Sequence, residues 1–320
     1  MSKILVTGCA GFIGFHACKA LLDEGFKVIG IDNLSHYYDV ELKKDRLDIL
    51  RKIDGFRFFK VNIHDLASMG FILNTLQFDQ VLHLAAQAGV RYSLIDPYEY
   101  INSNILGTTI LLEMCKTKQL KQFVYASSSS VYGDSIEDTF REGHRTDHPE
   151  SLYGATKKST ELLCHAYYKT YSLPCVGLRF FTVMGPWGRP DMATFQFTKA
   201  IIEGEPIEIY GGESTSRSFT YIDDVVSGIM EVIKNPLEKP DFLLYNIGGS
   251  EEVKIVDFVK MLEDIIGKKT ETLLVPMQGG DVWRTSADTF AMKRDFNWVP
   301  KVSVREGLER FVKWYKVYYE

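Results

Sequence analysis

Cysteine is scarce in this chain: five residues in 320 (Cys9, Cys18, Cys115, Cys164 and Cys175), odd in number and scattered, with no C-x-x-C pair. That spacing excludes a disulfide framework and a structural zinc site, and it fits a reducing cytosol. No uninterrupted apolar run approaches the roughly 18–20 residues that a membrane span needs. An excess of positive charge is missing too. Thirty-seven basic against 42 acidic side chains leave a net charge of −5, so there is no electrostatic footprint for nucleic acid. The first residues run straight into a strand pattern and a glycine turn, without the apolar core and cleavage site of a signal peptide, so a cytoplasmic protein is expected. Internal repeats, low-complexity segments and long Gly/Ser linkers are absent from the sequence. The chain is 45% hydrophobic and 25% charged, the balance of a globular protein. At roughly 150 residues per domain, its length suggests about two compact units.

The first half alternates short β-branched runs with longer helical patterns. Ile4–Thr7, Lys27–Ile31, Phe56–Val61, Gln80–His83, Phe123–Ala126 and Cys175–Arg179 read as strands. Most are apolar on successive residues, as expected of strands buried on both faces of a parallel sheet. Helices are expected near Phe12–Glu24, Glu41–Lys52, Leu66–Leu76, Tyr98–Lys116 and Leu152–Tyr171. This repetition predicts an α/β fold, a doubly wound parallel Rossmann sheet with right-handed crossovers. The texture changes after about Phe181, giving an expected division into residues 1–180 and a smaller C-terminal α/β unit over 181–320. In that second part Ile207–Tyr210, Phe219–Ile222, Leu243–Ile247 and Thr272–Val275 read as strands. Helices are expected there near Thr194–Glu203, Ile255–Ile266 and Arg305–Tyr318, and later segments have room to return to the first sheet.

Gly8-Cys9-Ala10-Gly11-Phe12-Ile13-Gly14 follows the first strand and opens the first helix. Three glycines alone are a weak signal; a strand before, a helix after and an acid at the end of the next strand make them a dinucleotide turn. The pyrophosphate of such a ligand sits on free N–H groups at the positive helix end. The acid is Asp32, beside Asn33, placed to accept hydrogen bonds from the adenine ribose. Its charge repels a 2′-phosphate, so NAD is favoured over NADP. The competing reading of Asp32 is a strand-end turn with Asn33.

Ser128 lies at the carboxyl end of the fifth strand, where ligands meet an open α/β sheet. Tyr153 and Lys157 are four residues apart on one helix face. A Tyr-x-x-x-Lys pair is commonplace by itself. It becomes chemistry when a neighbouring ammonium and an oxidised nicotinamide draw the phenol below its ordinary pKa of about 10. Ser128 then supplies a second hydrogen bond to the reacting oxygen, which makes a site for proton abstraction from an alcohol that loses hydride to NAD.

With these residues assembled, the chain resembles the extended short-chain dehydrogenase/reductases over nearly its whole length. Within them it is similar to the nucleotide-sugar epimerases, and most closely to the UDP-glucuronate 4-epimerases. The likeness rests on His83–Ser93, Asn104–Thr108, Leu178–Ala193, Arg217–Val225 and Gln278–Val282, of which the run from Thr182 to Ala193 is the most specific. The resemblance implies bound NAD, a UDP-sugar substrate and a homodimer, in which the two long helices that carry apolar residues beyond one stripe pair across the interface. It places Phe12, Ile13, Asn33 and Asn104 on the cofactor side, Asp65 and Ile63 beside the adenine, and Ala85 and Ala86 along the pyrophosphate. Thr182, Arg189 and Arg91 become candidates for a uronate carboxylate, with Ser127 and Ser129 beside it. Arg217 would clamp the diphosphate, and Gln278 and Asp281 would lie near the uridine diphosphate or its ribose. Met184 stands where this motif usually has tyrosine, a change expected to affect packing.

The related elimination and decarboxylation enzymes carry acids just before Val131-Tyr132-Gly133, where this chain has Ser129 and Ser130. Oxidation and re-reduction at one carbon is therefore preferred to UDP-glucuronate decarboxylation. The nearest alternative is 4-epimerisation of UDP-glucose or UDP-N-acetylglucosamine. A non-catalytic NAD sensor conflicts with the complete Ser128/Tyr153/Lys157 set. His144, Asp147 and His148 read as a polar loop, with no metal expected, and Lys43-Lys44-Asp45-Arg46 as a solvated helix face.

Overall fold

Successive apolar residues drive six strands of the first half into one sheet: β1 (Lys3–Thr7), β2 (Lys27–Asp32), β3 (Phe56–Lys60), β4 (Gln80–His83), β5 (Gln122–Ser128) and β6 (Cys175–Phe180). The computed structural model describes residues 2–133, 135 and 137–320. The helices between these strands are α1 (Phe12–Asp23), α2 (Val40–Arg51), α3 (Leu66–Thr75), α4 (Pro97–Tyr100), α5 (Thr108–Cys115) and α6 (Leu152–Tyr171). Residues Ile101–Gly107 join α4 to α5 with wider, i→i+5 winding, so the expected single helix is interrupted. Later come β7 (Thr182–Met184), α7 (Ala193–Glu203), β8 (Ile207–Tyr210), β9 (Ser216–Tyr221), α8 (Ile222–Lys234) and β10 (Phe242–Ile247). The chain closes with β11 (Glu252–Lys254), α9 (Ile255–Ile266), β12 (Thr272–Val275), α10 (Phe290–Phe296) and α11 (Val304–Tyr319).

The central sheet is parallel, with seven strands in the order β10-β6-β5-β4-β1-β2-β3. β1, β4, β5 and β6 are buried on nearly every residue, which is why their sequences do not alternate. β10 returns from the second half to pair with β6, Leu243 opposite Val176. α8 returns with it and packs its stripe of Val225, Ile229, Val232 and Ile233 into the cluster formed by Cys18, Leu21 and Leu22 of α1. The opposite face is covered by α3, α5 and α6 around Leu73, Leu111 and Cys164. A three-stranded sheet (β11-β9-β7) and the β8–β12 pair, with α7, α9 and α11, build a separate cluster around Phe258 and Phe311. Among the described residues no helix is long and apolar enough to cross a membrane.

The expected strand Phe219–Ile222 is displaced toward its N-terminus, and α8 begins at Ile222. Asp223 and Asp224 in its first turn suit the positive end of a helix. Asp224 also accepts from the Lys301 and Val302 N–H groups at 3.0 and 2.9 Å, fastening α8 to the segment before α11.

Two histidines that, among the described residues, pair with no carboxylate, buried His83 and half-buried His16, give the fold an acid limit. His83, between the Thr7 and Thr108 hydroxyls at 2.7 and 2.9 Å, is held neutral by burial, with Lys157 adding to the effect; its pKa falls to about 3. Burial lowers His16 to about 4. The unfolded chain takes up these protons below about 6.5, whereas the folded chain does not until it is much more acid. Between those limits the unfolded state binds more protons, so stability falls as pH falls. The urea midpoint is expected to drop between pH 7 and pH 5, and to drop less in His83→Gln; parallel pH profiles would contradict this origin.

Candidate active site

The carboxyl ends of the central strands open into a cleft of about 720 Å³ that continues between the sheet and the β7–β9 layer. At one end β1 turns into α1. Gly14 in the first turn of α1 lies so close to the turn that a Cβ there would fall onto the Gly8 carbonyl oxygen. The N-terminus of α1 has no side-chain cap, and Gly11, Phe12, Ile13 and Gly14 form cleft wall, so free backbone N–H groups are offered to an anion. Asp32 closes this end. Its Oδ2 accepts from the Ala10 N–H at 3.0 Å and its Oδ1 from the Leu34 N–H at 2.8 Å. Burial raises its pKa, against the pull of those two N–H groups, Lys43 and Arg46. Asn33, Ile63, Ala85 and Ala86 also line the cleft. Glycines at the turn, an uncapped helix end and a buried acid lining the same end of the cleft fit a dinucleotide.

Ser128, Tyr153 and Lys157, the expected catalytic set, all line this cleft. The Ser151 hydroxyl accepts from the Gly154 N–H at 3.0 Å and starts α6. Gly154 lets that first turn press against the Ser130 carbonyl, where a Cβ would approach to 2.6 Å. This contact sets Tyr153 beside the end of β5, with the Ser128 hydroxyl near enough to lower the pKa of its phenol. The Ser128 oxygen also accepts from the Ser130 N–H at 3.1 Å. Burial raises the Tyr153 pKa, while Ser128 and Arg189 lower it. Lys157, one turn on, is buried and its pKa is lowered by burial to about 8. Its Nζ donates to the Ala126 carbonyl at 2.9 Å. Arg189 is the cation that lowers the Tyr153 pKa in this structure, with Lys157 one turn away on α6.

The remaining candidates separate into cleft residues and residues turned elsewhere. Ser129 and Thr182 line the cleft beside Tyr153. Arg189 enters the same region in a two-pronged pair with Asp191, at 3.0 and 2.5 Å, and Asp191 also accepts from the Tyr37 hydroxyl at 2.9 Å. At the far end Arg91 lies over the Tyr210 ring, 4.3 Å from its centre, and 3.5 Å from Asp281. Arg217 donates to the Ser216 and Trp283 carbonyls at 2.8 and 3.2 Å. Arg91 and Arg217 bring two guanidinium groups to this end, beside the carboxylates of Asp281 and Glu208.

Ser127 is part of the cleft wall, but its hydroxyl donates to Glu161 at 2.7 Å, because neighbours on a strand face opposite sides. Glu161 is paired with buried Arg179 at 2.7 and 2.9 Å. Asp65 is exposed and caps α3, accepting from the Ala67 and Ser68 N–H groups at 3.1 and 3.2 Å. Asn104 is buried behind the wall and joins the loop after β4 to α6. Its amide nitrogen donates to the Gln87 carbonyl at 3.0 Å and the Thr156 hydroxyl at 2.9 Å. Gln278 is half-buried in the loop after β12, outside the cleft lining. His144 and Asp147 bond within their own loop, to the Arg141 N–H at 3.3 Å and the Arg145 Nε at 2.9 Å.

Several residues that the sequence reading passed over are part of this construction. Tyr37 and Asp191 hold Arg189, and the local signal was Asp191 two places after a cleft arginine. The expectation of a solvated face at Lys43–Arg46 is corrected. Lys43 and Arg46 are buried on the same stripe as Leu42, Leu47 and Leu50, while Lys44 alone of the three cations faces water. Lys43 donates to the Ser35 carbonyl at 2.6 Å and lines the cleft close to Asp32.

A family model described as the NAD dependent epimerase/dehydratase family matches residues 4–248. A UDP-glucuronate 4-epimerase from Thermodesulfobacterium geofontis is 43% identical, with 99% of this chain and 97% of that one aligned. UDP-glucuronate 4-epimerase 6 of Arabidopsis thaliana is 42% identical over 99% of this chain and 72% of its own. Among solved structures, UDP-glucuronic acid 4-epimerase from Bacillus cereus in complex with UDP-glucuronic acid and NAD aligns with a TM-score of 0.93. That pair shares 38% identity over 99% of this chain and 100% of the other.

Proposed function

Because this chain belongs to the NAD dependent epimerase/dehydratase family, we propose that it is a 4-epimerase that interconverts UDP-glucuronate and UDP-galacturonate. The observation that carries the reading is the Tyr153 phenol beside Ser128 in a cleft that has the glycine turn and Asp32 at one end and Arg91 and Arg217 at the other. The glycine turn and Asp32 would hold NAD, which when bound would supply the hydride acceptor and donor for C4 of the sugar.

The chain's own groups do the rest. Tyr153, as phenolate, takes the proton from the 4-hydroxyl, and Ser128 donates a hydrogen bond to the same oxygen. Arg189 favours the phenolate through its charge, which offsets part of the burial penalty on Tyr153. Arg217, with Arg91 beside it, holds the diphosphate, and Asp281 lies near the uridine ribose, so the 4-keto sugar can turn about its linkage without leaving. It then presents its other face, and Tyr153 gives the proton back to the opposite configuration. Thr182, Ser129 and Arg189 receive the carboxylate. Fixing it suits a β-keto acid that must not lose CO₂, and Ser129 and Ser130 offer no carboxyl group for an elimination.

Residues 1–180 serve as the NAD-binding part, joined by α8 and β10, and most of residues 181–320 bind the UDP-sugar. The site needs no metal. Five free, buried cysteines agree with a cytoplasmic enzyme. Tyr98, Ile101, Leu106 and Leu162 leave apolar surface exposed on α4 to α6, which suits a homodimer pairing these helices. Light scattering is expected to give twice the mass of one chain; a monomer mass rejects the pairing.

The function is tested by incubating purified protein, with no NAD added, with UDP-glucuronate, UDP-glucose and UDP-N-acetylglucosamine. UDP-galacturonate is the expected product of the first, with little conversion of the others. Release of CO₂ with a UDP-pentose, or preference for a neutral sugar, would overturn the assignment.

A further inference from the structure

The loop after β7 runs Gly185-Pro186-Trp187-Gly188-Arg189 and is held from the nucleotide side at three consecutive carbonyls. His16 Nε2 donates to the Pro186 carbonyl at 2.9 Å. Arg46 on α2 donates to the Trp187 carbonyl at 2.5 Å and, at 3.4 Å, to that of Gly188. Its other terminal nitrogen donates to the Ala10 carbonyl and the Tyr38 hydroxyl, both at 2.8 Å. Ala10 is thus gripped on both sides, its N–H by Asp32 and its carbonyl by Arg46.

Two features of this arrangement are costly. Arg46 is fully buried, and among the described residues it has no carboxylate partner and no partner for its Nε. A buried cation in that state opposes folding unless its remaining hydrogen bonds fix something. Trp187 holds φ at +62°, a left-handed conformation that a large side chain keeps only where its surroundings enforce it. Here the enforcement is Arg46 on its carbonyl and Phe15, Trp314 and Tyr318 around its ring. Two residues later the chain delivers Arg189 to the cleft.

We propose that Arg46, which does not line the cleft, is a positioning residue for the epimerase reaction. It fixes the loop that presents Arg189 to the sugar and ties that loop to the glycine turn, so that the two ends of the cleft keep one register. The inference rests on the functional reading above.

The test uses the full-length, NAD-loaded enzyme with Arg46→Lys and Arg46→Gln, each of which keeps a donor but cannot span both segments. NAD content, thermal midpoint, KM and kcat for UDP-glucuronate are measured. So is the Kd for UDP-glucuronate in a Tyr153→Phe background, where no turnover intrudes. KM and Kd are expected to rise about tenfold, with NAD content changing by less than about twofold. In an Arg189→Ala background the same substitutions should add less than about threefold, because their effect passes through Arg189. A lowered thermal midpoint with unchanged KM and Kd marks a purely structural role and overturns the proposal, as do fully additive effects. If wild-type protein neither binds nor converts UDP-glucuronate, the functional reading fails and this inference with it. If it does both and the Arg46 variants match it, the inference alone fails.

Discussion

Tyr153→Phe is expected to lower kcat by about 10²–10⁴, the usual range for loss of a positioned acid–base group. NAD content should stay unchanged. The ring itself is kept: it packs edge-on against Tyr100, 6.2 Å between centres, and phenylalanine fills the same space. What disappears is the oxygen that takes the proton of the 4-hydroxyl group. Ser128 remains but is an unactivated hydroxyl, and the Lys157 ammonium is engaged with the Ala126 carbonyl. Ser128→Ala should cost less, since it removes a hydrogen bond and leaves the proton carrier. Steady-state kinetics, with NAD measured in denatured protein, checks both. Activity of Tyr153→Phe within tenfold of wild type would remove Tyr153 from the reaction.

Gly14→Ala should have the second-largest effect, and on a different quantity. The added methyl group meets the Gly8 carbonyl and lies 3.1 Å from the Cys9 Cα, so both obstacles are backbone. Either the turn or the first turn of α1 must move, and the N–H groups that face the pyrophosphate move with it. Overpacking of this kind costs about 1–3 kcal/mol. If that cost falls on the cradle, NAD affinity drops roughly ten- to a hundredfold, and the purified protein should carry correspondingly little NAD. Gly143→Ala is the control, since a Cβ there meets nothing within 4 Å and its backbone needs no positive φ. Equal NAD content in both variants would contradict the cradle.

Much of this was legible in the chain because the relevant physics is local. Parallel strands buried on both faces announce themselves as continuous apolar runs, and β4, α6, α9 and β12 begin and end where their sequences predict. The glycine turn and the Tyr153–Lys157 spacing are local as well. Ser127 could have been assigned by alternation from Ser128. Asp65 carried a visible helix-start signal, with Ser68 three residues on, that competed with its reading as an adenine contact.

Other features depended on partners far along the chain. Arg46 looks like any solvated arginine until the Trp187 carbonyl arrives from 141 residues later. The bond from the Lys157 ammonium to a strand carbonyl of β5, 31 residues back, likewise has no local signal. α8 was obscured because the apolar run of β9 continues without a break into its first residue, Ile222.

The central claim is that one hydride leaves C4 and returns to the same carbon while Tyr153 moves only the proton. UDP-glucuronate carrying deuterium at C4 tests it most directly. Converted by the purified enzyme in ordinary water without added NAD, it should give UDP-galacturonate that retains the deuterium at C4, with no label in the solvent. Loss of the label to water, or a product labelled from the solvent at C4, would contradict the account.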